Sequence, residues 1–139
     1  MRRVFADTSY WIALLNPRDS LHHRALSLSS SLGPVRLVTS EMVLTEFLND
    51  LAPRGGLLRS AAVELVERLQ TDPNVQVIVQ SSDRFQEALG LYAARGDKGW
   101  SHTDCSSFWI MRENGVQESL TYDRHFEQAG FRALLREGG

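Results

Sequence analysis

The chain has 139 residues, 42% of them apolar and 23% charged, with a net charge of −2. That length suits one domain, residues 1–139, with one sizeable core, and the acidic balance excludes a global basic field that would gather polyanions. No apolar run approaches the ~18 residues of a membrane span, and a lone cysteine, Cys105, excludes an internal disulfide, as suits a cytoplasmic protein.

In chain order, Met1-Arg2-Arg3 runs straight into a short buried strand, Val4–Ala6, so no signal peptide is expected. A helix over Ser9–Leu15 follows and stops at Asn16-Pro17. Asp19 or Ser20 can cap a second helix to about Leu32, which Gly33-Pro34 ends. Val35–Thr39 reads as a strand, and Ser40 caps a helix over Glu41–Ala52. Pro53 and Gly55-Gly56 then break the chain. Leu58, Ala61, Ala62, Leu65, Val66 and Leu69 form a helical stripe over Leu57–Gln70.

Asp72-Pro73-Asn74 is a turn and Val75–Val79 a strand. Ser82 or Asp83 can cap a helix to about Arg95, and Arg95–Ser101 is a loop. A helix over Thr103–Asn114 ends at Gly115, where a helix C-terminal glycine belongs. Val116–Tyr122 is a strand, and Phe131–Leu134 a last short one. Strands alternating with helices predict an α/β fold with a central parallel sheet covered on both faces.

Open parallel sheets bind ligands beyond the carboxyl ends of their strands. Asp7 and Asp123 stand at such ends, and Glu46 and Asp104 lie on helices that start on the same side. Four carboxylates converging there would repel one another unless a cation sat among them, so the pattern predicts a divalent-metal site and hydrolytic chemistry. Each acid also has a plainer reading. Asp7 can cap the helix behind it, and Glu46, off its helix's apolar stripe of Leu44, Phe47, Leu48 and Leu51, can be solvated. Met42 and Asn49 share its face, which suggests a cleft instead. Asp104 aligns with Phe108 and Met111 on the side that should bury, where it needs a partner, and Ser101 can supply one through a capping box. Asp123 can start a turn.

Phe5-Ala6-Asp7-Thr8-Ser9, Leu44-Thr45-Glu46-Phe47-Leu48, Ser101-His102-Thr103-Asp104-Cys105-Ser106-Ser107-Phe108 and Thr121-Tyr122-Asp123-Arg124-His125-Phe126 occur in that order. Together with Leu21-His22-His23-Arg24-Ala25, they resemble the PIN-domain family from about Val4 to Phe131, in particular the ribonuclease toxins of bacterial toxin–antitoxin pairs. The resemblance implies an α/β/α sandwich and Mg²⁺ or Mn²⁺ held by Asp7, Glu46, Asp104 and Asp123. It also implies hydrolysis of RNA phosphodiesters, a homodimer, and a small antitoxin that silences the cleft.

Asp7, Asp104 and Asp123 are then the expected direct ligands. Glu46 is expected to act through a water, with Thr8 or Ser9 positioning a carboxylate or water behind them. RNA contacts are expected from Arg18, His22, Arg54, Lys98, His102 and Arg124. Trp100 is expected to stack bases from its loop, whereas Trp109 belongs in the core and His125 is structural. Asp97 is expected to shape its loop. Two readings compete with a toxin: a PIN-like module that binds without cutting, and an RNA-processing nuclease. A phosphatase or receiver of similar layout is disfavoured. Ser9 stands where the phosphatase needs a second Asp, and the receiver's acidic pair and strand-end lysine are both missing.

Overall fold

The computed structural model describes residues 1–137; positions 138 and 139 of the expected domain lie outside it. Five strands form one all-parallel sheet: β1 (Arg2–Ala6), β2 (Val35–Ser40), β3 (Val75–Ile78), β4 (Glu118–Leu120) and β5 (Arg132–Ala133), in spatial order β3-β2-β1-β4-β5. The helices are α1 (Thr8–Leu15), α2 (His22–Ser31), α3 (Glu41–Leu51), α4 (Gly56–Thr71), α5 (Ser82–Ala94), α6 (His102–Glu113) and α7 (Arg124–Gln128). They flank the sheet in an α/β/α sandwich, as the alternation predicts.

The core forms where β1 is sandwiched. Val4, Phe5 and Ala6 are fully buried, as are Val38, Val43, Phe47, Phe108, Met111, Leu120 and Phe126. Phe108 makes edge contacts with both Trp100 and Phe126, ring centroids 5.0 Å apart in each pair. Four helix starts, those of α3, α5, α6 and α7, carry a side-chain cap. The Ser40 side chain accepts a hydrogen bond from the Val43 N–H, and Ser81, one residue before the expected caps, accepts from Arg84. Asp19 does not cap α2; its carboxylate accepts from the Leu21 N–H and turns the chain ahead of the helix.

Several details depart from the sequence reading. The Val116–Tyr122 strand shrinks to three residues, because the chain leaves Gly115 with φ 64° and pairs only from Glu118 onward. The short helix α7 was not anticipated; five residues are too few for a periodic signal. Two tryptophans exchange places. Trp109 is 37% exposed although a core position was expected, while loop residue Trp100 is 5% exposed. The Trp100 indole donates to Gln128, and the Arg95 guanidinium lies 5.1 Å from its ring centre. With both sides covered, Trp100 is not a base-stacking residue.

The order of strands decides where a site can form. From β1 the chain moves outward to β2 and β3, then returns to the other side of β1 for β4 and β5. The crevice beyond the carboxyl ends of β1 and β4 is the switch point of the sheet.

Candidate active site

Strand register brings the first and last motifs together. β1 pairs with β4 through Phe5–Ser119 and Ala6–Leu120, so Asp7 and Thr121 face each other one step beyond. The Asp7 N–H still donates to the Leu120 carbonyl at 3.1 Å, which anchors that step. The Thr121 hydroxyl donates to Asp7 Oδ2 at 2.8 Å and accepts from the Asp123 N–H at 3.0 Å. One hydroxyl thus joins two of the four acids. Ser9 supports the same junction: its hydroxyl lies 3.3 Å from that of Thr121 and accepts from the Tyr122 N–H.

Asp104 arrives from the other direction, in the first turn of α6. Ser101 and Asp104 form the full capping box, with the Asp104 N–H bonded to Ser101 Oγ and the Ser101 N–H to Asp104 Oδ2. The plain reading is therefore correct. It fixes the carboxylate without using it up, because the same Oδ2 accepts from His125 Nδ1 at 3.0 Å. His125 Nδ1 is also 3.3 Å from Asp123 Oδ1. Donor atoms of Asp104, Asp123 and His125 all lie within 4.8 Å of one another. His125, expected to be structural, stands between two of the acids. Its signal in the sequence was only its nearness to Asp123; the contact that matters reaches back to Asp104.

The electrostatics follow from burial. Asp7 is almost fully enclosed, and desolvation pushes its carboxyl up to about 7. The hydrogen bonds from Thr121 and the Thr8 backbone oppose that rise, whereas the charges of Asp104 and Glu46 add to it. Asp104 is raised too, first by burial and then by Asp123, against the Ser101 and His125 hydrogen bonds. Among the described residues no lysine or arginine makes an ion pair with Asp7, Asp104 or Asp123; the imidazole of His125 is the sole basic group in contact.

Glu46 stands outside the tight group, exposed on α3, in the wall of a cleft of about 500 Å³ that also includes Met42, Asn49, Gln80 and Thr103. The cleft suggested by its helical neighbours exists. Beside Asp7, the buried Thr8 hydroxyl has no hydrogen-bond partner. Asp7 stands outside the close group of Asp104, Asp123 and His125 and joins it through Thr121; the carboxylate oxygens, the orphaned Thr8 hydroxyl and the absence of a paired lysine or arginine fit a hard divalent cation.

The expected RNA contacts divide. Arg18 and Arg54 line a groove of about 1090 Å³ between the end of α1 and the start of α4. His22 Nδ1 donates to the Ala13 carbonyl and holds α2 to α1, while His102 Nε2 donates to the Phe85 carbonyl. Both imidazoles thus serve the fold. Lys98 is half-buried, and Arg124 is exposed at the start of α7, next to Asp123. Asp97 grips Arg95 through two 3.0 Å hydrogen bonds, which hold its carboxyl down at about 2; it shapes the loop and stands apart from the acid group.

The PIN domain family model matches residues 4–132. The chain belongs to the PIN-domain family. It is 34% identical over 128 residues to the 23S rRNA-specific endonuclease VapC20 of Mycobacterium tuberculosis, covering 92% of this chain and 95% of that protein. The crystal structure of M. tuberculosis VapC20, a Sarcin-Ricin loop cleaving toxin, superposes with a TM-score of 0.82 at 32% identity, over 92% of this chain and 95% of that one. FitAcB from Neisseria gonorrhoeae shares the fold, with a TM-score of 0.62 at 17% identity over 94% of each chain. No described helix is long and apolar enough to cross a membrane.

Proposed function

We propose that this chain is a divalent-metal-dependent endoribonuclease acting as the toxin of a toxin–antitoxin pair in the cytoplasm, with single-stranded or structured RNA as its substrate. The reading rests above all on the buried carboxylates that Thr121 and His125 bring together without a lysine or arginine to neutralise them. Its kinship with an rRNA-cutting toxin along 92% of the chain supports RNA over other phosphodiesters.

In this reading Asp7, Asp104 and Asp123 hold Mg²⁺ or Mn²⁺. Held there, a cation would supply Lewis acidity and would lower the pKa of a water for attack on phosphorus. The protein supplies the positioning. Thr121 aims Asp7, and the Ser101 cap with His125 pins one oxygen of Asp104, leaving the other for ligation. Glu46 orients the attacking water from the cleft wall. The orphaned Thr8 hydroxyl and Ser9 steady that water and the Asp7 carboxylate. Arg18, Arg54, Lys98 and Arg124 gather the phosphate backbone, because local charge must do what the net charge cannot. A small antitoxin that covers the cleft and self-association into a homodimer complete the proposal.

The test is cleavage of rRNA by the wild type, Asp7→Asn and Asp104→Asn, with and without Mn²⁺. Cleavage confined to the wild type with metal supports the reading. Equal cleavage by all three overturns it, and binding without cutting in every case returns the non-catalytic module. Growth arrest on expression, relieved by the product of a neighbouring gene, separates a toxin from a processing nuclease.

A further inference from the structure

The cleft behind Glu46 has a lining that phosphodiester hydrolysis by the acids does not explain. It lies between α3 and the connection from β3 to α5, and Thr103 joins it to the start of α6. Its functional groups are the amides of Asn49 and Gln80, the Thr45 and Thr103 hydroxyls and the Met42 thioether. Among the described residues neither side-chain amide makes a hydrogen bond, yet the Gln80 backbone is fixed, its N–H donating to Glu41 Oε1 at 2.8 Å. The position is held and the amide is left open.

Gln80 also borders a second depression that contains Phe85 and Gln86. Phe85 is 46% exposed. Its ring packs on His102 with centroids 4.5 Å apart, and the His102 hydrogen bond to the Phe85 carbonyl locks that pair. An exposed aromatic held this rigidly offers a flat apolar face at little entropic cost.

Neither depression is lined by lysine or arginine, and Glu41 and Glu46 would repel a phosphate there. Paired amide donors and acceptors beside a fixed aromatic ring match a different part of RNA. They suit the hydrogen-bonding edge and stacking face of an unpaired base.

We propose that this cleft is a nucleobase subsite. One unstacked base next to the cut phosphate enters it, with its edge on Asn49 and Gln80, and the neighbouring base stacks on Phe85. The inference rests on the ribonuclease reading above and adds to it the residues that choose where cutting occurs. Glu46 borders both cleft and acids, so a base seated here sets the register of the backbone across Asp7 and Asp104.

The test measures binding of Asp7→Asn protein to a labelled single-stranded RNA dodecamer in which one nucleotide at a time is abasic. A loss of about tenfold at one or two adjacent positions, the scale of one base contact, is expected. At the position whose base edge meets Asn49 and Gln80, the loss should shrink to less than about twofold, an energy under one base contact, when Asn49→Ala and Gln80→Ala are added. Wild-type cleavage of a randomised RNA pool should show base preference beside the cut, and Gln80→Ala should relax it. An even loss at every abasic position, or a positional loss unchanged by the two alanines, overturns the subsite. If the wild type leaves RNA intact in Mn²⁺ while the positional loss persists, the nuclease reading fails and the subsite stands. Both substituted side chains project into an open cleft, and thermal melting of each variant verifies its fold.

Discussion

The two ends of the same pair of strands treat acids in opposite ways. At the amino end, Glu118 of β4 accepts hydrogen bonds from Arg2 of β1 at 2.7 and 2.8 Å and from Arg132 of β5 at 2.9 Å. The Arg2 hydrogen bond holds its carboxyl below the usual range. At the carboxyl end, Asp7 leaves β1 with only neutral donors, and burial drives its carboxyl up to about 7. One end is neutralised from within; the other is left to be neutralised by something bound. Stability is given up at the carboxyl edge, and a cation that bound only the folded state there would restore it.

The largest test of this contrast is catalytic. Asp7→Asn and Asp104→Asn should each lower RNA cleavage by roughly 10³-fold or more, measured as single-turnover rates in Mn²⁺. Glu118→Gln, at the neutralised end, should leave the rate within about twofold, since it weakens only the pairs with Arg2 and Arg132, at the opposite end of the strands from the acids.

Next comes pH. The Asp7 carboxyl has a higher pKa folded than unfolded, so between pH 4 and about 7 the native state binds more protons than the unfolded state. Its contribution therefore makes metal-free stability fall as pH rises through that window. Denaturation of the wild type and Asp7→Asn from pH 4 to 8 should show the wild type losing ground to the variant by a few kcal/mol, on the order of the linkage expected from such a shift. Parallel curves would contradict the unneutralised charge. Mn²⁺ should raise the wild-type melting temperature more at pH 7.5 than at pH 5.5, because binding must displace that proton. In Asp7→Asn the rise should be smaller and less sensitive to pH.

Thr121→Val removes the hydroxyl shared by Asp7 and Asp123 while keeping the shape of the side chain. It should cost about 1–3 kcal/mol of stability and weaken Mn²⁺ binding measured by calorimetry; unchanged metal affinity would relegate Thr121 to the fold. Smallest of all, Glu118→Gln should cost about 0.5–1 kcal/mol, lost in high salt, as urea melts at two ionic strengths would reveal.

Asp7, Asp104 and Asp123 stand out as candidates in the sequence because each sits at a boundary with its own local signature: the end of an apolar run, or a helix start with a serine three residues earlier. Glu46 was legible only by elimination from its helix's buried face. Thr121 and His125 were passed over as site residues since their partners lie far away in sequence, Asp7 being 114 residues from Thr121 and Asp104 being 21 from His125. The exchange of Trp100 and Trp109 has a related cause. Helical periodicity places a residue on a face, but it does not say how far the neighbouring helix covers that face, nor whether a loop folds back to bury its own ring.

By itself, then, the order of residues determined the alternation of strands and helices and the capping of α3 and α6 by Ser40 and Ser101, because these depend on near neighbours and on hydrophobic period. Tertiary structure alone decided that β4 lies beside β1 in a register that sets Thr121 against Asp7, and that His125 closes on Asp104. Only packing in three dimensions brings side chains from opposite ends of the chain within hydrogen-bonding reach, and the charge state of a buried carboxylate depends on that company.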